Sequence, residues 1–329
     1  MHTNANTNAS LAKESQLSEG LAPLFFDKLI LGQTRQKIDL LLKHKEEWLK
    51  IASLLFTNNP ERSVDFFERL TRIDPSLSDA KKTMAVLDIL NEYSGHSFIH
   101  SKDVADILNR MKDFIDVNGF EILQNIDFEN LSQDMERHDL GKLGMPNRIL
   151  NPDHPIEYTE QDNMIKEAHP VLGHLILKSL GFSKDCQRLA LTHHLRYETH
   201  DGKLQIIGYP RDAFFKYCEE NGLKPELQSE DHLAAFVDVF TAAIEKIRPS
   251  DLSGLRKEQH TPKELCMGAF KYMDAGNFKD HYYQAGAGAS LYSAFKNAVF
   301  DKIEDIVKEM NKRAEKRAGK RSKKETKAA

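Results

Sequence analysis

From about Leu21 onward, apolar residues recur three and four positions apart, the spacing of one face of a helix. Leu24, Phe25, Leu29 and Leu31 open one amphipathic segment. Ile38, Leu41, Leu42, Trp48, Leu49, Ile51, Leu54 and Leu55 form a longer stripe, which Asn58-Asn59-Pro60 stops. A third segment runs from Ser63 to Ile73 and ends at Asp74-Pro75. Ser76, Ser78 and Asp79 then offer N-caps for a helix through Leu90. Val104, Ile107 and Leu108 mark an inward face, as do Val171, Leu172, Leu175, Ile176 and Leu177. Leu189-Ala190-Leu191 and Leu233 to Phe240 are shorter apolar runs, and helical spacing returns at Thr261 to Met273 and from Leu291 to about Arg317. The pattern is helical almost throughout. The exception is Thr199 to Lys203, a turn that suits two short strands.

The 329 residues suggest one large or two modest domains, and 40% hydrophobic residues suffice for a sizeable core. No apolar run approaches the roughly 18 residues of a membrane span. Met1 to Ser10 is polar and lacks an apolar signal core. The expectation is a soluble, cytoplasmic protein. Three widely spaced cysteines, Cys186, Cys218 and Cys266, read as buried free thiols rather than a disulfide framework or a zinc site. The net charge of -4 is unevenly placed: Lys308 to Ala329 holds ten Lys/Arg against three Glu, so +7, leaving about -11 elsewhere. That tail reads as a frayed helix running into disorder, solubilising rather than binding nucleic acid or an anionic surface. No aromatic residue interleaves it to stack on bases. The expected organisation is a disordered 1–20, a helical module 21–79, a chemistry-bearing region 80–250, a helical extension 251–307 and a basic tail 308–329.

The chemistry concentrates in 80–250. Arg137-His138-Asp139-Leu140-Gly141-Lys142-Leu143-Gly144-Met145-Pro146 carries adjacent imidazole and carboxylate groups, both good metal ligands. Lys142 follows three residues after Asp139, on the same side of a helical turn, where a cation could meet a phosphate. His96 and His100 are four apart and share a helix face. His169-Pro170 precedes one buried helix, His193-His194 follows another, and Asp238 lies inside an apolar run where a lone carboxylate is costly. One such residue is ordinarily a satisfied core group. A series of them, each on its own helical segment and without cysteine, points to an N/O site for a catalytic metal. His200-Asp201, in a polar stretch, reads as a surface turn.

In this order the segments resemble the HD-GYP family of HD-domain metal-dependent phosphohydrolases, over about 96–250. His100-Ser101-Lys102-Asp103-Val104-Ala105 resembles the first-ligand helix. The His138-to-Pro146 segment resembles the HD motif, and Glu167-Ala168-His169-Pro170 the His-Pro element. Ala190-Leu191-Thr192-His193-His194 resembles the double histidine, Gly208-Tyr209-Pro210 the signature tripeptide, and Phe236-Val237-Asp238-Val239-Phe240 the closing helix. The resemblance implies an all-α HD-domain helical bundle holding two or three divalent metals, iron or manganese. His100, His138, Asp139 and Asp238 would hold one, and a bridging Asp139 with His169, His193 and His194 the second. Where some members place a Glu for a third metal, this chain has His96.

The implied activity is that of a phosphodiesterase hydrolysing cyclic di-GMP to pGpG and/or GMP, a signalling reaction. Two cations lower the pKa of a shared water, and the resulting hydroxide attacks phosphorus in line. Asp139 and Lys142 would be the catalytic pair, with Lys142, Tyr209 and Arg248 contacting the substrate. The chain departs from the family in its periphery. Leu195 stands where Glu is usual, about seven residues are inserted before Gly208, and this insert would form a hairpin over the site. Thr241 replaces an Asp, Arg248-Pro249 arrives about one residue late, and Ser250-Asp251 replace aromatic and basic groups. Gly222 to Asp231 reads as an extra loop, and Gly276 to Gly288 as a lid or a plain loop. The alternatives are an HD phosphohydrolase acting on another nucleotide and a non-catalytic, metal-containing cyclic-nucleotide receptor. The N-terminal module would suit a homodimer, and it or the Gly-Tyr-Pro loop a protein partner.

Overall fold

Short polar side chains start several of the helices. Asp127 accepts the backbone N–H of Asn130, Ser183 that of Cys186, and Thr159 and Asp162 cap each other reciprocally. Thr261 and Glu264 repeat the reciprocal cap. The computed structural model describes residues 69–70, 72–118, 123, 125–145, 147–150, 159–201, 203–247, 261–275 and 287–328. The expectations for 1–68, for Arg248 to Asp251 and for the Gly-rich stretch 276–286 lie outside these residues.

In chain order the elements are α1 (Asp79–Tyr93), α2 (Gly95–Asn118), α3 (Phe128–Met135), a 3-10 turn (Leu140–Gly144) and a single turn α4 (Asn147–Leu150). There follow α5 (Glu160–Ser179), α6 (Lys184–Thr192), β1 (Leu195–His200), β2 (Lys203–Gly208) and α7 (Arg211–Glu220). The last three are α8 (Ser229–Ile247), α9 (Pro262–Ala275) and α10 (Ala287–Ala328). Among the described residues the architecture is all-α apart from one antiparallel hairpin, β1 against β2. No helix among the described residues is long and apolar enough to cross a membrane.

Three apolar clusters surround the chemistry. The largest joins α2, α3, α8, α9 and α10 through residues such as Ile107, Met135, Phe240, Phe270 and Phe295. A second joins α1, the 3-10 turn, α5 and α6 through Leu90, Leu140, Leu143, Leu172 and Ile176, and takes in Leu70 and Ile73. The third seats the hairpin on α7, through Leu195, Ile206, Phe214 and Tyr217. Cys186, Cys218 and Cys266 are buried free thiols, as expected.

The tail continues the helix expected from Leu291. The backbone of α10 is helical through Ala328, and its packed face extends to Met310. Two causes act together. Lys, Arg, Glu and Ala are strong helix formers. Just past the packed face, Arg313 places Nε 2.7 Å from Asp103 Oδ1 and Nη2 2.9 Å from Asp106 Oδ2, tying α10 to α2.

Candidate metal centre

The His138-Asp139 pair lies in the turn after α3, and its neighbours anchor it. Glu136 pairs with Lys102 of α2 at 2.7 Å. Arg137 bonds Asp134 at 2.9 Å and stacks on Phe182, with Cζ 4.6 Å from the ring centre. Glycine lets this turn reach α5. A Cβ on Gly141 would lie 1.8 Å from the carbonyl oxygen of His169, and one on Gly173 would lie 3.3 Å from the Gly141 nitrogen. Backbone therefore meets backbone, and Asp139 arrives beside His169. A buried clamp sets the other side: Asp231 of α8 accepts from Arg188 and, at 2.6 Å, from Thr192 Oγ1. Thr192 immediately precedes His193-His194, so the clamp fixes where α6 ends against α8.

The side chains expected on sequence grounds converge. His100, His138 and Asp139 form one group whose ligand atoms all lie within 4.8 Å of one another, and His169, His193 and His194 form another. Asp139, fully buried, stands between them. Its Oδ2 faces His138 Nε2 at 3.4 Å and His100 Nε2 at 3.8 Å. Its Oδ1 faces His169 Nε2 at 3.3 Å and His193 Nε2 at 3.9 Å. Asp238 also straddles the groups: Oδ1 lies 2.8 Å from His100 Nε2 and 3.3 Å from His138 Nε2, and Oδ2 lies 3.8 Å from His194 Nδ1.

Most of the rings are held at one nitrogen so that the other points inward. His138 Nδ1 donates to the Met135 carbonyl at 2.6 Å, His169 Nδ1 to Lys166 at 2.5 Å and His193 Nδ1 to Leu189 at 3.3 Å. The two Nε2 atoms of His169 and His193 approach to 3.2 Å. Burial keeps this group of imidazoles neutral. It lowers His169, and it brings His193 down to about 3 with help from the neighbouring His138 and His169 rings. Burial, then His193, holds His194 well below the ordinary histidine range. A neutral imidazole is the form that ligates metal.

The carboxylates behave oppositely. Burial alone would raise Asp139, but His138 and Lys142 outweigh it and hold the carboxyl well below the usual range. Asp238 is lowered likewise, its burial outweighed by His100 and His138. His100 is raised well above the ordinary value, because Glu245 and Asp238 overcome its burial.

These residues fit divalent metal binding. The donor set is imidazole and carboxylate without thiolate, which suits a hard or borderline cation. Among the described residues, buried His138 Nε2 and Asp139 Oδ1 make no well-formed hydrogen bond, although both are turned to the middle of the cluster. An orphaned buried polar atom costs roughly 1–3 kcal/mol, and coordination would remove that cost.

The other expected site residues sort as follows. Lys142 Nζ bonds Asp139 Oδ2, and its side chain is 23% exposed. Tyr209 lies on the double histidine, its ring centre 4.7 Å from that of His194 and 6.4 Å from that of His169. Burial pushes its phenol up. His96, about one-third exposed, belongs to neither group and lies 3.7 Å from Glu245 Oε2. His200 and Asp201 are 70% and 93% exposed, the surface turn expected. Arg248 lies outside the described residues.

The inserted segment returns the Gly-Tyr-Pro to the double histidine. Leu195 pairs with Gly208 and His200 with Lys203, so the two strands stay in register from end to end. Gly208 closes the hairpin with φ +100, and a Cβ there would lie 2.3 Å from the His194 carbonyl oxygen. A side chain at that position would push Tyr209 off His194. Glu245 was not foreseen. It contacts both His96 and His100, and its signal in the sequence is that it stands two helical turns after Asp238.

Neither a protein-family model nor a curated protein matches this sequence. Among solved structures, the chain is similar to the HD domain of the L. monocytogenes phosphodiesterase PgpH. The complex of that domain with cyclic-di-AMP aligns at 19% identity over 65% of this chain and 94% of the other, with a TM-score of 0.41. A second structure of the domain aligns at 17% identity over 65% and 96%, again with a TM-score of 0.41. The metal-centre reading rests on the side-chain geometry rather than on this likeness.

Proposed function

We propose that this chain is an HD-type, metal-dependent phosphodiesterase acting on a cyclic dinucleotide. The observation that carries the reading is the buried Asp139, one oxygen turned to His100 and His138 and the other to His169 and His193. His100, His138, Asp139 and Asp238 would hold one cation, and Asp139, His169, His193 and His194 the other. Two bound cations, iron or manganese, supply a Lewis acid pair that activates water and neutralises phosphate charge.

The chain's own groups do the rest. Lys142 puts a cation at the partly open edge of the centre, where it meets a phosphate oxygen and stabilises charge that grows in the transition state. Tyr209 presents an aromatic ring beside His194, a surface for a sugar or base. The nearby carboxylates Asp139 and Asp238 stay ionised, so they compete for cations and not for protons at neutral pH.

Two observations favour a second reading, a metal-containing receptor that binds without turnover. Leu195, where the family has Glu, is fully buried at the start of β1, and Thr241, where it has Asp, donates its hydroxyl to the Val237 carbonyl at 2.7 Å. Neither reaches out to a substrate.

The deciding experiment uses protein purified without oxygen, its metal content measured, and incubated with cyclic di-GMP or cyclic di-AMP in Mn(II) or Fe(II). Products are followed by chromatography, with the His138→Ala, Asp139→Ala double variant as control. Linear dinucleotide or mononucleotide that the variant fails to make is the expected result. Two metals without turnover of any cyclic dinucleotide favour the receptor, and a protein that never binds metal refutes the reading.

A further inference from the structure

The inward-facing histidines divide by what holds their outer nitrogen. His138, His169 and His193 each donate Nδ1–H to a backbone carbonyl three or four residues earlier in their own segment. His100 does not. Its Nδ1 lies 3.1 Å from Glu245 Oε2, a carboxylate reaching across from α8, while its Nε2 faces Asp238 Oδ1 at 2.8 Å. Glu245 stands seven residues after Asp238 on the same helix. One helix thus supplies a carboxylate to each nitrogen of the ring. The Glu245 side chain is 9% exposed and that of His100 5%, so water does not screen the contact.

We propose that Glu245 is a positioning residue for the metal centre: its carboxylate takes the His100 Nδ1–H, fixes the tautomer that turns Nε2 inward, and strengthens that nitrogen as a donor. The inference rests on the metal-centre reading. A carboxylate is a stronger acceptor than a peptide carbonyl. A carboxylate–imidazole–metal chain makes the ring more basic and locks its orientation, and its loss weakens metal affinity by about 10–100-fold. The two cations therefore sit in unequal environments. The one held by His100, His138 and Asp139 has a carboxylate behind one of its imidazoles, whereas His169 and His193 have only peptide carbonyls behind theirs. Glu245 also lies 3.7 Å from His96 Nε2, so the same carboxylate draws the partly exposed His96 toward His100.

The test is Mn(II) titration of the metal-free full chain without oxygen, comparing wild type, Glu245→Gln and Glu245→Ala. Two Mn(II) ions bind the wild type. In Glu245→Ala one of them weakens by about 10–100-fold and the other stays within about twofold. Glu245→Gln keeps an amide oxygen for the Nδ1–H but no charge, and falls between the two. It carries the test if the alanine variant fails to fold. A second readout separates positioning from simple packing. In the Zn(II)-loaded protein, imidazole N–H resonances report each ring. The His100 Nδ1–H signal is lost by solvent exchange in Glu245→Ala, while those of His138 and His169 persist. Two Mn(II) ions bound as in wild type by Glu245→Ala, or a retained His100 signal, overturns the inference alone. Equal loss of both metals assigns Glu245 a structural role and also overturns it. A wild type that binds no Mn(II) overturns the metal-centre reading itself, and the inference with it.

Discussion

The His169 ring donates its Nδ1–H to the carbonyl of Lys166 at 2.5 Å, and Pro170 is what leaves that carbonyl available. In an uninterrupted helix the Lys166 carbonyl would accept the N–H of residue 170. Proline has no N–H to give, so the oxygen falls to the neighbouring imidazole. The ring is held with Nε2 turned inward, toward His193 and Asp139. The His-Pro element in the sequence is thus a local device for aiming one side chain.

Pro170→Ala should separate stability from site geometry. Alanine restores the helix hydrogen bond, and a mid-helix proline costs about 3 kcal/mol relative to alanine. The variant is expected to melt no lower than wild type, yet to bind metal more weakly, because the restored N–H competes with His169 for the Lys166 oxygen. Thermal melting and Mn(II) titration on the same preparations check both halves. Undiminished metal affinity would show that His169 is aimed by its packing and not by this carbonyl.

Gly141 and Gly173 make the same backbone contact but differ in tolerance. A Cβ on Gly141 falls 1.8 Å from the His169 carbonyl oxygen and 2.7 Å from the Gly173 nitrogen, so the turn has to move. The nearest atom to a Cβ on Gly173 is 3.3 Å away, a contact that a few tenths of an ångström relieve. Gly141→Ala is expected to cost more than about 3 kcal/mol, the upper end of ordinary overpacking, and to displace Asp139 from His169. Gly173→Ala should cost about 1 kcal/mol. Denaturant unfolding of the two variants gives the order, and equal losses would contradict the geometry.

What the sequence revealed follows from the range of the interactions involved. The helices were legible because apolar spacing and caps are local: Thr261 to Met273 was expected, and α9 spans Pro262–Ala275. The clustering of His100, His138, Asp139, His169, His193, His194 and Asp238 was legible because each carries chemistry an ordinary core has no need for. Glu245 was not legible, since a charged residue near a helix end usually faces water, and only the fold turns it onto His100. Gly173 was equally silent, because its role is to lack a side chain where another segment crosses. The hairpin was anticipated, but not that Gly208 would close it against the His194 carbonyl. The Arg313 pairing with Asp103 and Asp106 was not legible, because it joins residues 207 or more positions apart.

His232 gives the fold a measurable acid response separate from the metal centre. Burial between the rings of Tyr197 and Phe236 lowers it from 6.5 to about 4. The folded protein thus keeps this imidazole neutral where the unfolded chain protonates it. Its contribution is complete above pH 6.5 and is lost as pH falls toward 4, by up to about 3 kcal/mol. His232→Phe removes the titration and keeps an apolar ring. Between pH 7 and pH 4.5 the wild type is expected to lose more unfolding free energy than the variant. Parallel losses in both proteins would place His232 in a wetter environment than the structure shows.

Lys142 and Asp139 are bonded to each other, yet the proposed chemistry gives them opposite tasks, and one substitution can tell these apart. Asp139 would hold cations, and Lys142 a phosphate oxygen. The ammonium lies on Oδ2, the oxygen that also faces His100 and His138, so it would compete with a cation for that atom. Lys142→Met keeps an unbranched stem of similar length and removes the charge. Metal affinity is then expected to hold or rise, because Oδ2 loses its competitor. Turnover of a cyclic dinucleotide is expected to fall by about 10²–10³-fold, the scale for losing one preorganised donor to a developing negative charge. Measuring bound Mn(II) and kcat on the same samples decides it. If metal and turnover vanish together, Lys142 serves to hold Asp139 in place; if turnover survives, the phosphate is gripped from elsewhere.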